Sequence, residues 1–283
     1  MKPSFCGWYY KVESEKCSLA LIPAVHQSEK ETSASLQILW NGKSGVVPMS
    51  ASQAAVTWAN PRAVLEKNLF CPRGMLLSIQ TSQWNIQGKL RFGPLQPLRV
   101  PVMGPFEFMP FLECSHRIGS MKHKVNGTLR VNGQCVQLKN ARGYIEGDRG
   151  RSFPREYAWS QCLFAEGSLM MAVARVPLGS VAFPGVIALV CLRGREYRFA
   201  SYLGARIVGV HKGKVLIRQG QFTLSAERLG QSGQPLQAPV CGAMKRTIHE
   251  NLRCPVRYCL RKDGHVLWQL ETDQASFEME YPE

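Results

Sequence analysis

The chain has 283 residues, of which 45% are hydrophobic and 19% charged, and it carries a net charge of +15. This composition excludes a disordered chain, and the length suits two ordinary domains or one large all-β unit. Such an excess of basic charge would attract nucleic acid, anionic lipid or an acidic partner. The basic residues are scattered singly, however, and no zinc finger, RNP motif or basic helix occurs, so nucleic acid is not an expected partner.

Targeting and cysteine chemistry are similarly bounded. The opening MKPSFCGWYYKVES lacks the apolar core of a signal peptide, and the most apolar segment, Val181–Leu192, is short and contains Pro184 and Gly185. A cytoplasmic protein is expected, with a basic surface compatible with peripheral contact with anionic membrane. The chain has 10 cysteines but no CxxC. Reduced core cysteines are expected, with Cys17, Cys114, Cys135, Cys162 and Cys191 in or beside apolar runs.

Taken in order, the chain reads as strands. Residues 5–11, 18–25 and 34–40 open it, the last ending at the turn signal Asn41-Gly42. Residues 75–80 and 84–92 follow; in the second, Trp84, Ile86, Leu90 and Phe92 share one parity while Gln87, Lys89 and Arg91 share the other, as on a strand with one wet face. Residues 92–110 carry five prolines and predict an extended crossing without regular structure. Asn126-Gly127 and Asn132-Gly133 predict two further turns. Runs at 158–164, 168–176, 185–192, 196–202, 205–210, 214–219 and 221–227 predict strands, with a turn at His211-Lys212-Gly213. Residues 229–239 predict a loop, and 256–260 and 266–270 a hairpin about Lys262-Asp263-Gly264, before a last strand at 274–281. Many short strands at this spacing predict an all-β sandwich or barrel, and their count suits two barrel-like domains, 1–142 and 143–283, packed together.

The stretch at the expected junction, 143–161, reads GYIEGDRGRSFPREYAWSQ, and its Asp148 is the first aspartate in the chain. The GDRG sequence predicts a turn. HExxH, GxSxG and GxxxxGK[ST] are all missing, so zincin, α/β-hydrolase and P-loop chemistry lack their signatures. The candidate chemistry rests on carboxylates, Glu107, Glu113, Glu146, Asp148 and Glu250, with His116 and His249 near two of them. Glu146 and Asp148 are two apart and would share one side of a strand, where like charges favour keeping one of them protonated. The competing arrangement has Arg142, Arg149 and Arg151 pairing with both and holding them ionised.

Several blocks in this order resemble one family. GYIEGDRGRSFPREYAWSQ resembles the central signature of the tocopherol cyclase family, GYxExDWGxSFPxxWxWxQ. FCGWYYKVES resembles that family's SGWYFK opening and ALIPAV its following strand. VMGPFEFMPFLECSH resembles MGPFxFxPxMECxH, and REYRFASYLGA and LQAPVCGAMKRTIHE resemble later blocks, so the resemblance runs from about residue 5 to about 280. It implies two lipocalin-like units and an isomerase needing no cofactor or metal. Its substrate would be a hydrophobic small molecule such as a prenylated quinol. A proton adds to a prenyl double bond, and the phenol oxygen captures the cation to close a chromanol ring. On this reading Asp148 or Glu146 is the acid, and Glu113 and His116 are a relay or phenol-orienting pair. Trp8, Tyr9 and Trp159 form the walls; Phe106, Arg149, Gln161 and His249 complete the substrate-binding set. The chain departs from the pattern at Arg149, where the family has Trp, and at Glu156-Tyr157. A non-catalytic carrier of an apolar lipid or prenylated ligand is the alternative for the same pocket, and a basic, membrane-associated structural module is a third reading.

Overall fold

In a computed structural model the chain is described throughout except at Met1, Pro110, Phe111, Gly179, Ser180, Ser232 and Glu283. The described residues fold almost wholly into antiparallel strands, and the fold is all-β, as the strand pattern predicts. Two compact units are present. The first comprises residues 1–99, 114–153 and 236–247, and the second comprises 100–113, 154–235 and 248–283. The domain boundary expected at 142/143 falls inside a strand, because residues 143–150 pair on both sides within the first unit.

The first unit is built on strands β1 (Ser4–Glu13), β2 (Ser18–Gln27), β3 (Thr32–Trp40), β4 (Lys43–Met49), β5 (Ala54–Thr57), β6 (Arg62–Leu65), β7 (Asn68–Cys71), β8 (Gly74–Gln80), β9 (Asn85–Phe92), β10 (Cys114–Val131) and β11 (Gln134–Gly150). They form one sheet in the order β4-β3-β2-β1-β11-β10-β9-β8-β7-β6-β5, curled so that β5 and β6 come against β2 and β3. Alternation then sets one side chain of each pair inward. Trp8, Tyr10 and Val12 of β1, Ile145 of β11 and Val125 and Leu129 of β10 point into the apolar core.

Two expectations are corrected here. Asn126-Gly127 is a bulge inside β10, with Gly127 at φ 141°. A Cβ on Gly127 would lie 2.2 Å from the Lys89 carbonyl oxygen, so the glycine marks a close backbone approach and not a chain reversal. The GDRG segment is strand: Gly147 pairs with Trp8 and Arg117, Asp148 with Gly7 and His116. With both neighbours supplying ladder bonds, turn-prone residues stay extended. The short strands β5 to β7 have no counterpart in the sequence pattern. Asn41-Gly42, Asn132-Gly133 and Lys212-Gly213 do reverse the chain, each with positive φ at both residues, as hairpin turns require.

The remaining strands are β12 (Tyr157–Phe164), β13 (Gly167–Leu178), β14 (Val181–Leu192), β15 (Arg195–Ala200), β16 (Arg206–His211), β17 (Lys214–Gln219), β18 (Phe222–Arg228), β19 (Gln234–Val240), β20 (Ala243–Lys262) and β21 (His265–Met279); they belong to the second unit except for residues 236–247 of β19 and β20, which are counted with the first. Nine of them run in the order β15-β14-β13-β12-β21-β20-β18-β17-β16, with β19 on β20. β19 occupies half of the segment predicted as loop. The proline-rich crossing is held at defined points up to its final Pro110, which lies outside the described residues. In the first unit Gln96 N–H donates to Ser120 Oγ at 3.0 Å. In the second, Arg198 donates to the carbonyls of Val100 and Pro101 at 2.8 and 2.9 Å, ahead of a short 3-10 turn, Gly104–Phe108. Among the described residues no helix is long and apolar enough to cross a membrane. All ten cysteines are free; Cys135 and Cys241 are exposed, so Cys135 is not the core residue predicted.

Candidate functional site

On β1, β10 and β11 the face turned away from the first unit's apolar core carries the polar residues of the central signature. Residues directly opposite in an antiparallel ladder share a face. Lys11 pairs with Tyr144, Tyr9 with Glu146, and Gly7 with Asp148, which pairs in turn with His116 on its other side. Although this face is not the core, Tyr9, Lys11, Glu13, Tyr144 and Glu146 are all buried on it.

His116 is the centre of a four-residue chain. Its Nδ1 lies 2.9 Å from Asp148 Oδ1, and its Nε2 lies 3.3 Å from Glu146 Oε2. The first contact is a well-formed hydrogen bond, while the second is an ion pair whose N–H is off line. The Tyr144 hydroxyl donates to the same Glu146 Oε2 at 2.5 Å. Cys114 adds a weak thiol donor, its Sγ 3.5 Å from Asp148 Oδ1.

Electrostatics fix the protonation of the central residue. Burial alone would lower the His116 pKa, but the Asp148 and Glu146 carboxylates together overcome it and hold the imidazole up at about 10. At neutral pH the ring is therefore an imidazolium that presents an N–H to each carboxylate. The Tyr144 phenol is raised well above its usual 10 by burial and then by Glu146, so it stays protonated and serves as a donor. One imidazolium against two carboxylates leaves the group with one net negative charge when both are ionised. Asp148 is its open end: its side chain is 25% exposed, against 7% for Glu146 and 11% for His116.

Of the expected arginine partners, Arg142 and Arg149 make contacts away from Asp148. Arg142 pairs with Glu13 at 3.0 Å, and Lys11 with Glu13 at 3.1 Å, which makes a second buried ion cluster farther along the same face. Arg149 occupies the opposite face of β11 from Asp148, with its guanidinium 4.9 Å from the centroid of Trp58; Arg117 sits 5.0 Å from the same ring. Trp8 also points to this inner side, its indole donating to Thr57 O at 2.9 Å and its ring 5.6 Å from Trp58. Of the expected walls in this unit, Tyr9 shares the face of the His116 group, and Trp8 does not. Arg149 and Trp58 line a shallow depression with Phe5, Cys6 and Ser115.

The remaining predicted residues belong to the second unit. Trp159 and Gln161 project from β12 on the side away from that unit's core, to which Ala158 and Cys162 contribute, yet both are buried. Phe106 stands in the 3-10 turn with its ring 5.5 Å from Tyr202 and 6.0 Å from Phe183. His249 is exposed on β20, where its N–H donates to Glu280 Oε1 at 3.2 Å. Glu113 immediately precedes β10 and is counted with the second unit.

Sequence reasoning missed Tyr144 and Cys114. The signal for Tyr144 was present, since it precedes Glu146 by the same two-residue step that links Glu146 to Asp148. Nothing in the spacing pointed to Cys114 or to the Lys11–Glu13–Arg142 cluster. Among the described residues no group of three or more His, Cys, Asp or Glu side chains could hold a metal ion; the His116 nitrogens are turned onto the two carboxylates.

No protein-family model and no curated protein matches the chain. Solved structures do. A protein from Nitrosomonas europaea assigned to AttH aligns over 100% of this chain and 93% of its own, with TM-score 0.55 and 10% identity. Kievitone hydratase from Nectria haematococca aligns over 98% of this chain and 89% of its own, at 0.55 and 9%. CghA with Sch210972 aligns over 99% and 89%, at 0.59 and 8%. At these identities the likenesses establish one thing: the chain shares, over nearly its whole length, the lipocalin-like all-β fold of these proteins.

Proposed function

We propose that the chain is a cofactor-independent cyclase or isomerase that closes a chromanol-type ring on a prenylated hydroquinone. The observation that carries this reading is His116, held as an imidazolium between Asp148 and Glu146, with Asp148 at the accessible end. The proton comes from the His116 imidazolium: its Nδ1 proton passes to the Asp148 carboxylate, which delivers it to the less substituted carbon of the prenyl double bond. The Tyr144–Glu146 pair steadies the ring from the other side. The tertiary cation that forms develops beside a group with net negative charge, which lowers the barrier electrostatically. The phenol oxygen adds to the cation and its proton returns to the relay, so the reaction is an isomerisation with no electron acceptor.

Two further observations support it. Arg149, the departure from the family pattern, projects from the other face of β11, so its charge does not replace His116 as the partner of Asp148. Tyr9, opposite Glu146 in the ladder, gives the same face an aromatic ring that can lie against a cation. The fold's neighbours include a hydratase, so acid–base chemistry on this scaffold has a precedent, while fold alone assigns no function.

The test is incubation of the purified chain with a series of prenylated hydroquinones, followed by separation of isomers of equal mass. Product is expected with the parent chain. Asp148→Asn and His116→Gln are each expected to lower turnover by about 100-fold or more while still binding substrate. Ligand recovered unchanged across the series would favour a non-catalytic carrier.

A further inference from the structure

The outward face of β8, β9, β10 and the distal part of β11 is one continuous basic field. The ladder aligns Leu76, Lys89, Thr128 and Gln137 in one row and Ser78, Gln87, Arg130 and Cys135 in the next. Arg91 pairs with Asn126, and Lys124 with Arg142; Lys139 lies beyond the bulge at Val125/Gly127. Lys89, Arg91, Lys124, Arg130 and Lys139 are all exposed, and among the described residues none of the five has a carboxylate partner. β8, β9, β10 and β11 as far as Ile145 contain no aspartate or glutamate. On β20 and β21, by contrast, Arg253 pairs with Asp273 and Arg257 with Glu271.

One edge of the field is apolar. The row containing Leu76 continues through Leu69, Val64 and Ala55 on β7, β6 and β5, and Leu76 is 47% exposed beside Lys89. An apolar strip bordering unneutralised cations on a sheet face suits one partner chemistry. We infer that this face docks on an anionic lipid bilayer, the five cations lying over the headgroups and the Leu76 strip entering the interface. Nucleic acid fits less well. The face carries neither a helix or ribbon to enter a groove nor an aromatic platform for bases, and the apolar strip would gain nothing from a phosphate backbone. The inference stands on the surface alone and is independent of the proposed chemistry at His116.

The test uses the full chain with vesicles of phosphatidylcholine alone or mixed with phosphatidylglycerol, in a co-sedimentation assay. Binding is expected only with the anionic vesicles and should weaken as salt is raised. The triple variant Lys89→Gln/Arg91→Gln/Arg130→Gln is expected to bind about 100-fold more weakly, taking each cation near the surface to contribute about fivefold. A control, Arg206→Gln/Arg218→Gln on the second unit's β16 and β17, should bind like the parent. A separate variant, Leu76→Trp, should gain fluorescence that brominated lipid quenches. The inference is overturned if the triple variant binds like the parent, if the control loses as much, or if the indole introduced by Leu76→Trp is unquenched. It is also overturned if duplex DNA displaces the chain from vesicles as effectively as anionic lipid does.

Discussion

Asp148 and Arg149 are neighbours in the chain and stand on opposite faces of β11. Asp148 bonds His116 at 2.9 Å on the face away from the core, while the Arg149 guanidinium lies 4.9 Å from the Trp58 ring centroid on the other. Their opposite charges suggest a pair, and the strand's two-residue period forbids it. Arg149→Gln is therefore expected to cost about 0.5–1 kcal/mol in denaturant unfolding, the worth of an exposed cation–π contact, and to leave the His116 titration in place. Asp148→Asn is expected to do the reverse at His116. A His116 titration that moves as far with Arg149→Gln as with Asp148→Asn would contradict the assignment of faces.

His116 itself gives a pH prediction. Its folded pKa, near 10, lies above the unfolded value of 6.5. The stabilisation it contributes is thus fully present below pH 6.5 and is lost as pH rises from 6.5 towards 10. Proton NMR should show the His116 ring charged throughout the neutral range. Asp148→Asn, which removes one of the two carboxylates facing it, should bring its titration down towards the ordinary range.

His26 and His123 behave oppositely. Each is buried beside a serine hydroxyl, Ser35 at 3.0 Å and Ser120 at 3.1 Å. Burial holds each imidazole neutral, with its pKa lowered to about 4. Acid protonates them in the unfolded chain first, so stability should fall as pH drops from 6.5 to 4, by about 3 kcal/mol for each at the lower limit. Unfolding midpoints followed against pH check this. The double variant His26→Gln/His123→Gln should flatten the acid side of the curve between those values.

Gly147 is required for a reason separate from chain reversal. A Cβ there would meet the Trp8 ring at 2.7 Å and the Gly7 carbonyl oxygen at 3.0 Å. Gly147→Ala is expected to cost about 1–3 kcal/mol through overpacking and to shift the fluorescence of Trp8, whose indole is anchored on Thr57.

The strand order was largely legible because one-sided burial imposes a period of two, as at 84–92, and hairpin turns demand residues such as Asn41-Gly42. Two glycine-containing pairs misled for the same reason: Asn126-Gly127 and Gly147-Asp148 have the composition of turns, while long-range pairing on both edges keeps them extended. The parity linking Glu146 to Asp148 was readable, and the same parity would have reached Tyr144 had 143–150 been read as strand. His116, Asp148 and Glu146 are each legible as candidates, but their pairing is not. His116 is 32 residues from Asp148, and only the β10–β11 register brings the two together. Charge alone makes Arg149 a partner for Asp148, and only the direction of its side chain on β11 separates the two.

The most direct measurement of the central claim is solvent labelling. In deuterium oxide, the chain acting on a prenylated hydroquinone is expected to yield a cyclised product with one non-exchangeable deuterium on the carbon that received the proton. The label should disappear with turnover in Asp148→Asn and His116→Gln. A ring-closed product without carbon-bound deuterium, or full labelling by the Asp148→Asn variant, would contradict proton delivery from the Asp148–His116–Glu146 group.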